Sequence, residues 1–328
     1  MAAADAPSQD LAKLTTHARG LPGSLARAIC YTSADRAGVT AMNATRRSFL
    51  SVLTASLAAW RCSSNVEDDG VTRYVRYDDG GSVAYGILQG DRVQPIEGDL
   101  FGARAPAGNP LPLGEVKLLY PTQPRKILAL AGNYRSHIGD TPPPAHPEPF
   151  YKPITCLQHP EGEIVFPPGA QDVHYEAEFV IVIGKRAKNV PLEQANDYIL
   201  GYTCGNDVSE RNWQNGSIDG EENKDLQWWR AKGAETFGPA GPCVAVGLDY
   251  EKSKIQLRLN GEVKQDAMLS DLIHKPPETV SFISRYVTLE PGDLIFTGTS
   301  GTTSAMKPGD VVEVEIDGIG ILRNRVAA

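Results

Sequence analysis

Cysteine is scarce and odd in number: Cys30, Cys62, Cys156, Cys204 and Cys243, with no Cys-x-x-Cys pair. That is neither a thiolate zinc pattern nor a disulfide framework, and the five read as scattered small hydrophobes. Positive charge is also in short supply. The 32 Lys and Arg are outnumbered by 40 Asp and Glu, for a formal net charge of −8. This argues against nucleic acid as a partner. No apolar run reaches the roughly 20 residues of a stable membrane-spanning helix. No long repeat is present, only a Pro-Gly-Asp turn that recurs at 291–293 and 308–310. What remains is a chain of 328 residues, 41% hydrophobic and 22% charged. That composition is ordinary for a globular protein, and the length allows one large core or two domains.

The first 65 residues differ from the rest. Residues 1–41 are rich in small side chains and have no amphipathic period. "MNATRRSFLSVLTASLAAW" follows, from Met42 to Trp60, with Arg46 and Arg47 ahead of a short apolar run. A basic pair before such a run is the layout of an export signal, and the twin arginine with Phe-Leu resembles a Tat signal over residues 42–62. Export to the periplasm is the expectation, with a cytoplasmic location as the alternative. Met42 is then a candidate start. A surface helix, a disordered extension or a transit peptide are the competing readings. Residues 1–65 are set aside from fold reasoning.

From Val71 the chain turns to strands. "TRYVRYDDGGSVAYGILQGDRVQPI" alternates short β-rich runs with Asp-Gly and Gly-Asp turns, and predicts a small antiparallel β domain over 66–122. A larger unit, 123–328, follows the Pro-punctuated connector "PTQPRK". Its Pro-rich stretch from Gly139 to Phe150 includes three consecutive prolines, which fit neither helix nor central strand. It is a candidate lid. The whole predicts a mixed, β-rich α+β fold.

The stretch "HYEAEFVIVIGK", His174 to Lys185, poses the chemical question. Phe179 to Ile183 read as a strand buried on both faces, yet Glu176 and Glu178 stand at its mouth. Residues i and i+2 of a strand share a side, with Cα atoms roughly 6.6 Å apart. Two bare carboxylates converging there repel, so one protonates unless a cation intervenes. A hard divalent ion such as Mg²⁺ takes oxygen ligands and suits the pair. Asp207, in a loop after a second strand, is a natural third ligand. A Glu-x-Glu pair by itself is more often a solvated strand face.

Several ordered blocks then carry a family resemblance: "YEAEFVIVIGKRAKNV", "DYILGYTCGNDVSERNWQ", "AKGAETFGPAGPCV", "LNGEVKQDA", "LEPGDLIFTGT" and "MKPGDVVEVEIDGIG". Their order resembles that of the fumarylacetoacetate hydrolase family, over about Ile127 to Val326. The resemblance implies a β-roll catalytic domain with a small N-terminal β domain, a homodimer, and a Mg²⁺ or Mn²⁺ site on Glu176, Glu178 and Asp207. Residues 123–136 contain no acid, so three protein ligands are expected. Lys232 is implied as a buried cation that neutralises the carboxylates and stabilises an enolate oxygen. Arg211 and Gln214, three apart on a helical turn, point at substrate oxygens, and Arg suits a carboxylate by bidentate bonding. Thr299 offers a hydroxyl or N–H to a substrate carboxylate. The family continues Gly-Thr-Pro, whereas Ser300 stands here.

The Asn-Tyr-x-x-His block places Tyr134 at the substrate and His137 as general base, since an imidazole titrates near neutrality. Hydrolytic members pair that histidine with an acid, often Glu, three positions on. Here it is the shorter Asp140. His17, His146, His159, His174 and His274 read as surface or structural groups.

The expected activity is metal-dependent hydrolysis of a C–C bond in a β-diketo acid such as an acylpyruvate. The alternatives are a decarboxylase, isomerase, hydratase or lyase of the same family acting on a 2-oxo acid. A non-catalytic protein that binds a metal–carboxylate complex is a third reading.

Overall fold

The computed structural model describes residues 69–218, 221–222 and 225–328. The Tat-like segment at 42–62 lies outside the described residues. Strands of five or more residues are numbered here in chain order. The first three, β1 (Thr72–Asp78), β2 (Val83–Gln89) and β3 (Arg92–Gly98), form the expected antiparallel meander. Next come β4 (Ile127–Ala131), β5 (Glu148–Lys152), β6 (Ala177–Ile183), β7 (Ile199–Asn206) and β8 (Gly238–Val246). The C-terminal strands are β9 (Lys254–Leu259), β10 (Glu262–Met268), β11 (Leu294–Thr299), β12 (Val311–Ile316) and β13 (Gly320–Val326). Among the described residues the α-helices are α1 (Arg135–Ile138), α2 (Arg211–Asn215) and α3 (Pro276–Tyr286), with 3₁₀ turns elsewhere in the chain. Among the described residues no helix is long and apolar enough to cross a membrane.

One large sheet runs β3-β2-β1-β8-β7-β6-β11-β4-β5, and a second sheet holds β13-β12-β9-β10. The meander is not free-standing, because β1 pairs antiparallel with β8, Thr72 opposite Val246. Strand β6 lies between β7 and β11 with every residue buried. Its two faces feed different cores. Phe179, Ile181 and Ile183 pack with Leu257, Val314 and Ile316 of the second sheet, whereas Val180 and Val182 pack with Ile127, Ala129 and Phe296. A strand buried on both sides reads as a continuous apolar run for this reason.

Two glycines make the approach to the site possible. A Cβ on Gly205 would lie 2.5 Å from both Phe296 and Val180, so only glycine lets β7 close against β6 there. Gly298 takes φ +94°, a left-handed conformation that aims its N–H at Glu178.

The expected loop from Gly139 to Phe150 is shorter than the sequence implied. Glu148 to Lys152 form β5, which pairs antiparallel with β4, Ala131 opposite Glu148. Pro149 is tolerated because β5 is an edge strand and needs no second partner for its missing N–H.

Candidate metal centre and active-site cavity

Glu176 and Glu178 enter at the start of β6, and Asp207 follows the end of β7. The antiparallel register puts Ala177 opposite Asn206 and Glu178 opposite Gly205. The main-chain bond from Asp207 N–H to Glu176 O (2.9 Å) carries the pairing one step past the strands. Asn206 Oδ1 accepts from Glu176 N–H at 2.8 Å. The outcome is three buried carboxylates that each offer an oxygen within 4.8 Å of the others.

Three cations meet them. Lys232 Nζ donates to Glu176 Oε2 (2.8 Å), Asp207 Oδ2 (2.7 Å) and Ser209 Oγ (2.6 Å). Arg211 Nη2 lies 2.5 Å from Glu176 Oε1. Lys152, at the end of β5, donates to Asp207 Oδ1 (2.5 Å), to Phe237 O (3.2 Å) and to Lys232 O. Its three N–H groups each have an acceptor, which is full satisfaction for an ammonium.

The charges are not shared evenly. Burial would raise Glu176, but the Lys232 and Arg211 charges outweigh it and hold its carboxyl at about 2. Burial pushes Glu178 well above the ordinary range, and the charges of Asp207 and Glu176 push it further. Burial lowers Lys232, yet Asp207 and Glu176 prevail and its ammonium is raised. Glu178 accepts one hydrogen bond, 2.6 Å from Gly298 N–H, and makes no ion pair among the described residues. An under-compensated carboxylate beside two others, all offering oxygen, fits a hard divalent cation.

A cavity of about 120 Å³ opens on this cluster. His137, Arg211, Gln214, Lys232 and Thr299 line it together with Glu176, and Phe150 and Trp228 form an aromatic wall. The two rings meet edge to face, with centroids 5.2 Å apart. Arg211 and Gln214 do share one face of α2, with Nη1 donating to Gln214 Oε1 at 2.5 Å. Thr299 Oγ1 accepts from Gln265 Nε2 at 2.8 Å, which leaves its own hydrogen available to a ligand.

Two expected site residues do not line the cavity. His137 Nδ1 meets Gly301 O at 2.7 Å, while Asp140 is exposed and makes no hydrogen bond to His137. The short side chain at 140, beyond the last turn of α1, does not build the dyad. Tyr134 is buried and absent from the cavity lining. Its backbone bridges to Leu272, and its ring packs in the main core. Its hydroxyl has no hydrogen-bond partner among the described residues, and burial followed by the Glu178 charge raises its pKa.

Lys152, Gln265, Phe150 and Trp228 were not picked out from the sequence. The one available signal for Lys152 was its i+2 spacing from Phe150 on a strand, and a lone strand lysine ordinarily reads as solvated.

Residues 126–327 match the family described as "Fumarylacetoacetate (FAA) hydrolase C-terminal", and residues 72–121 match "Rv2993c-like, N-terminal". The chain is 35% identical to the mitochondrial oxaloacetate tautomerase FAHD2A of Bos taurus, over 66% of this chain and 71% of that one. The crystal structure of 5-carboxymethyl-2-hydroxymuconate delta-isomerase from Mycobacterium smegmatis superposes with a TM-score of 0.71 at 37% identity, over 78% of this chain and 99% of the other. Maleylpyruvate hydrolase from Sphingobium sp. SYK-6, solved with manganese(II) and pyruvate, gives a TM-score of 0.63 at 27% identity, over 78% and 98%.

Proposed function

The chain belongs to the fumarylacetoacetate hydrolase family, and on that premise we propose that it is a divalent-metal-dependent enzyme moving a proton on a small 2-oxo acid, as a tautomerase or isomerase. The observation that carries this reading is the setting of His137. A carbonyl oxygen can only accept, so the contact with Gly301 O puts the ring hydrogen on Nδ1 and leaves the Nε2 lone pair free. Among the described residues no carboxylate is hydrogen-bonded to His137 to make the paired base that activates water for C–C hydrolysis. The relatives agree in direction: the tautomerase and the isomerase are 35% and 37% identical to this chain, the hydrolase 27%.

Glu176, Glu178 and Asp207 would hold Mg²⁺ or Mn²⁺, which supplies Lewis-acid polarisation of substrate oxygens. Arg211 and Gln214 orient the carboxylate of the acid. His137 Nε2 takes a proton from the carbon beside the keto group, breaking one C–H bond. The imidazolium returns that proton to oxygen in a tautomerisation, or to a remote carbon in an isomerisation. Lys232 stabilises the negative charge that develops between the two transfers.

The test uses the full chain with Mg²⁺ or Mn²⁺, with EDTA and His137→Ala as controls. Metal-dependent keto–enol exchange of oxaloacetate is expected, reduced about 10²- to 10⁴-fold in His137→Ala. Metal-dependent release of pyruvate from acetylpyruvate, with oxaloacetate exchange no faster than in buffer, would reject proton transfer in favour of hydrolysis. Carbon dioxide release from oxaloacetate would instead assign a decarboxylase.

A further inference from the structure

Thr303 touches neither a carboxylate of the metal centre nor the cavity, yet it sits at a junction. Arg211 Nη2 donates to Thr303 Oγ1 at 2.9 Å. A guanidinium has no acceptor, so the threonine keeps its own hydrogen to give. A carboxylate only accepts, so Asp172 Oδ1 fixes the hydrogen of a neutral His174 ring on Nε2, and Nδ1, 2.9 Å from Thr303 Oγ1, is then the recipient. Nε2 lies 2.9 Å from Asp172 Oδ1. The Asp172 main-chain carbonyl accepts from Arg211 N–H at 2.9 Å. The path therefore closes on the residue where it began, and each hydrogen is used once.

The same loop reaches the other side of the cavity. Gly301 O receives His137 Nδ1–H at 2.7 Å, and Gly301 N–H donates to Ser136 Oγ at 3.0 Å. The loop is held at several points. Gln265 Nε2 donates to Ser300 O (2.5 Å) and to Thr299 Oγ1 (2.8 Å). Tyr175 and Ser304 share a hydroxyl contact at 2.9 Å, and His174 forms a β-bridge with Ala305.

We propose that the loop 300–305 is the element that positions the carboxylate-binding Arg211 and the base His137 together, with Thr303 orienting Arg211 and His174 orienting Thr303. The inference rests on the proposed function in one respect, that Arg211 takes the carboxylate of the substrate. Its physical basis is competition. Arg211 also faces Glu176 Oε1 at 2.5 Å, and a guanidinium released from Thr303 turns further onto that carboxylate and away from substrate. His174 and Thr303 are positioning residues.

The experiment uses the full chain loaded with Mn²⁺ and oxalate, an unreactive dicarboxylate, as the probe for calorimetry. Thr303→Val keeps the shape and removes the hydroxyl, and Thr303→Ser restores the hydroxyl. Oxalate affinity is expected to fall about 10-fold or more in Thr303→Val, the loss of one charge-assisted hydrogen bond. In Thr303→Ser it returns to within about threefold, and Mn²⁺ affinity stays near wild type in both.

The second readout is the ring-nitrogen NMR signals of His174, assigned by difference with His174→Asn. They are expected to show hydrogen on Nε2 in the wild type and a shifted Nδ1 signal in Thr303→Val. Equal oxalate affinity in wild type and Thr303→Val, or hydrogen on His174 Nδ1, would overturn the inference. A wild-type protein that binds Mn²⁺ but no oxalate counts against the proposed function instead. The His174 signals then decide the hydrogen-bonded path by themselves.

Discussion

Each end of β11 meets a buried carboxylate, and the two are held in opposite ways. Asp293, just before the strand, receives Arg125 N–H and Lys126 N–H at 3.0 Å, Glu290 N–H at 2.7 Å and Lys126 Nζ at 2.5 Å. Glu178, opposite Thr299 at the far end, receives one N–H and faces two further carboxylates. Both side chains are essentially inaccessible to water. Burial alone therefore does not mark function. A carboxylate whose oxygens are filled by amides and an ammonium is part of the scaffold. A carboxylate left short of donors and crowded by its own kind is waiting for a cation.

The largest test of that contrast is at the satisfied end. Asp293→Ala leaves a lysine and three amides without their partner and is expected to cost about 3–5 kcal/mol of folding stability. Mn²⁺ affinity, read by titration of the folded fraction, should stay within about twofold. A loss of metal binding that exceeds the loss of folded protein would mean that the two ends are coupled. Glu178→Gln should do the reverse. It is expected to weaken Mn²⁺ binding about 100-fold, or ~2.7 kcal/mol, with no loss of metal-free stability in denaturant melts. Marked destabilisation of the metal-free variant would make Glu178 a structural acid like Asp293.

The smallest expected effect is a pH slope in the metal-free protein. Glu178 has a folded pKa raised well above 4.5. Above pH 4.5 the native state therefore binds more protons than the unfolded chain, and this group's contribution to stability falls as pH rises. Glu176, held at about 2, has the opposite sign. Its contribution is present above 4.5 and is lost as pH falls from there toward 2. Denaturant melts across pH 5 to 8 should show the Glu178 slope without metal and its disappearance in Glu178→Gln. An unchanged slope in that variant would remove the charge argument for the metal site.

The contrast also explains what the sequence made legible. Glu176, Glu178 and Asp207 were readable because two acids at i and i+2 at the mouth of an apolar strand conflict with burial. Lys232, Arg211, Gln214 and Thr299 came from the family resemblance, and the fold brings all four to the cavity. Lys152 stayed hidden because its partner is Asp207, 55 residues away, and nothing local to a strand lysine announces such a partner. His174 reads locally as a surface or structural group, and its contact with Thr303 spans 129 residues. The pairing of Asp140 with His137 is an implication of the family resemblance, and the shorter side chain on an exposed turn makes no hydrogen bond to the ring. Tyr134 packs in the core and not on the cavity wall, and it is within reach of the Glu178 charge.

The sequence by itself determined the β-rich class, the doubly buried strand β6 and the acids at its mouth, because alternation, turn chemistry and the cost of burying charge are local properties. Only the tertiary structure decided which cations meet those acids, which carboxylate is left under-compensated, and which atom holds His137. Those outcomes depend on strands far apart in sequence meeting in one register, and on a loop whose hydrogen bonds are satisfied only once both sheets are in place.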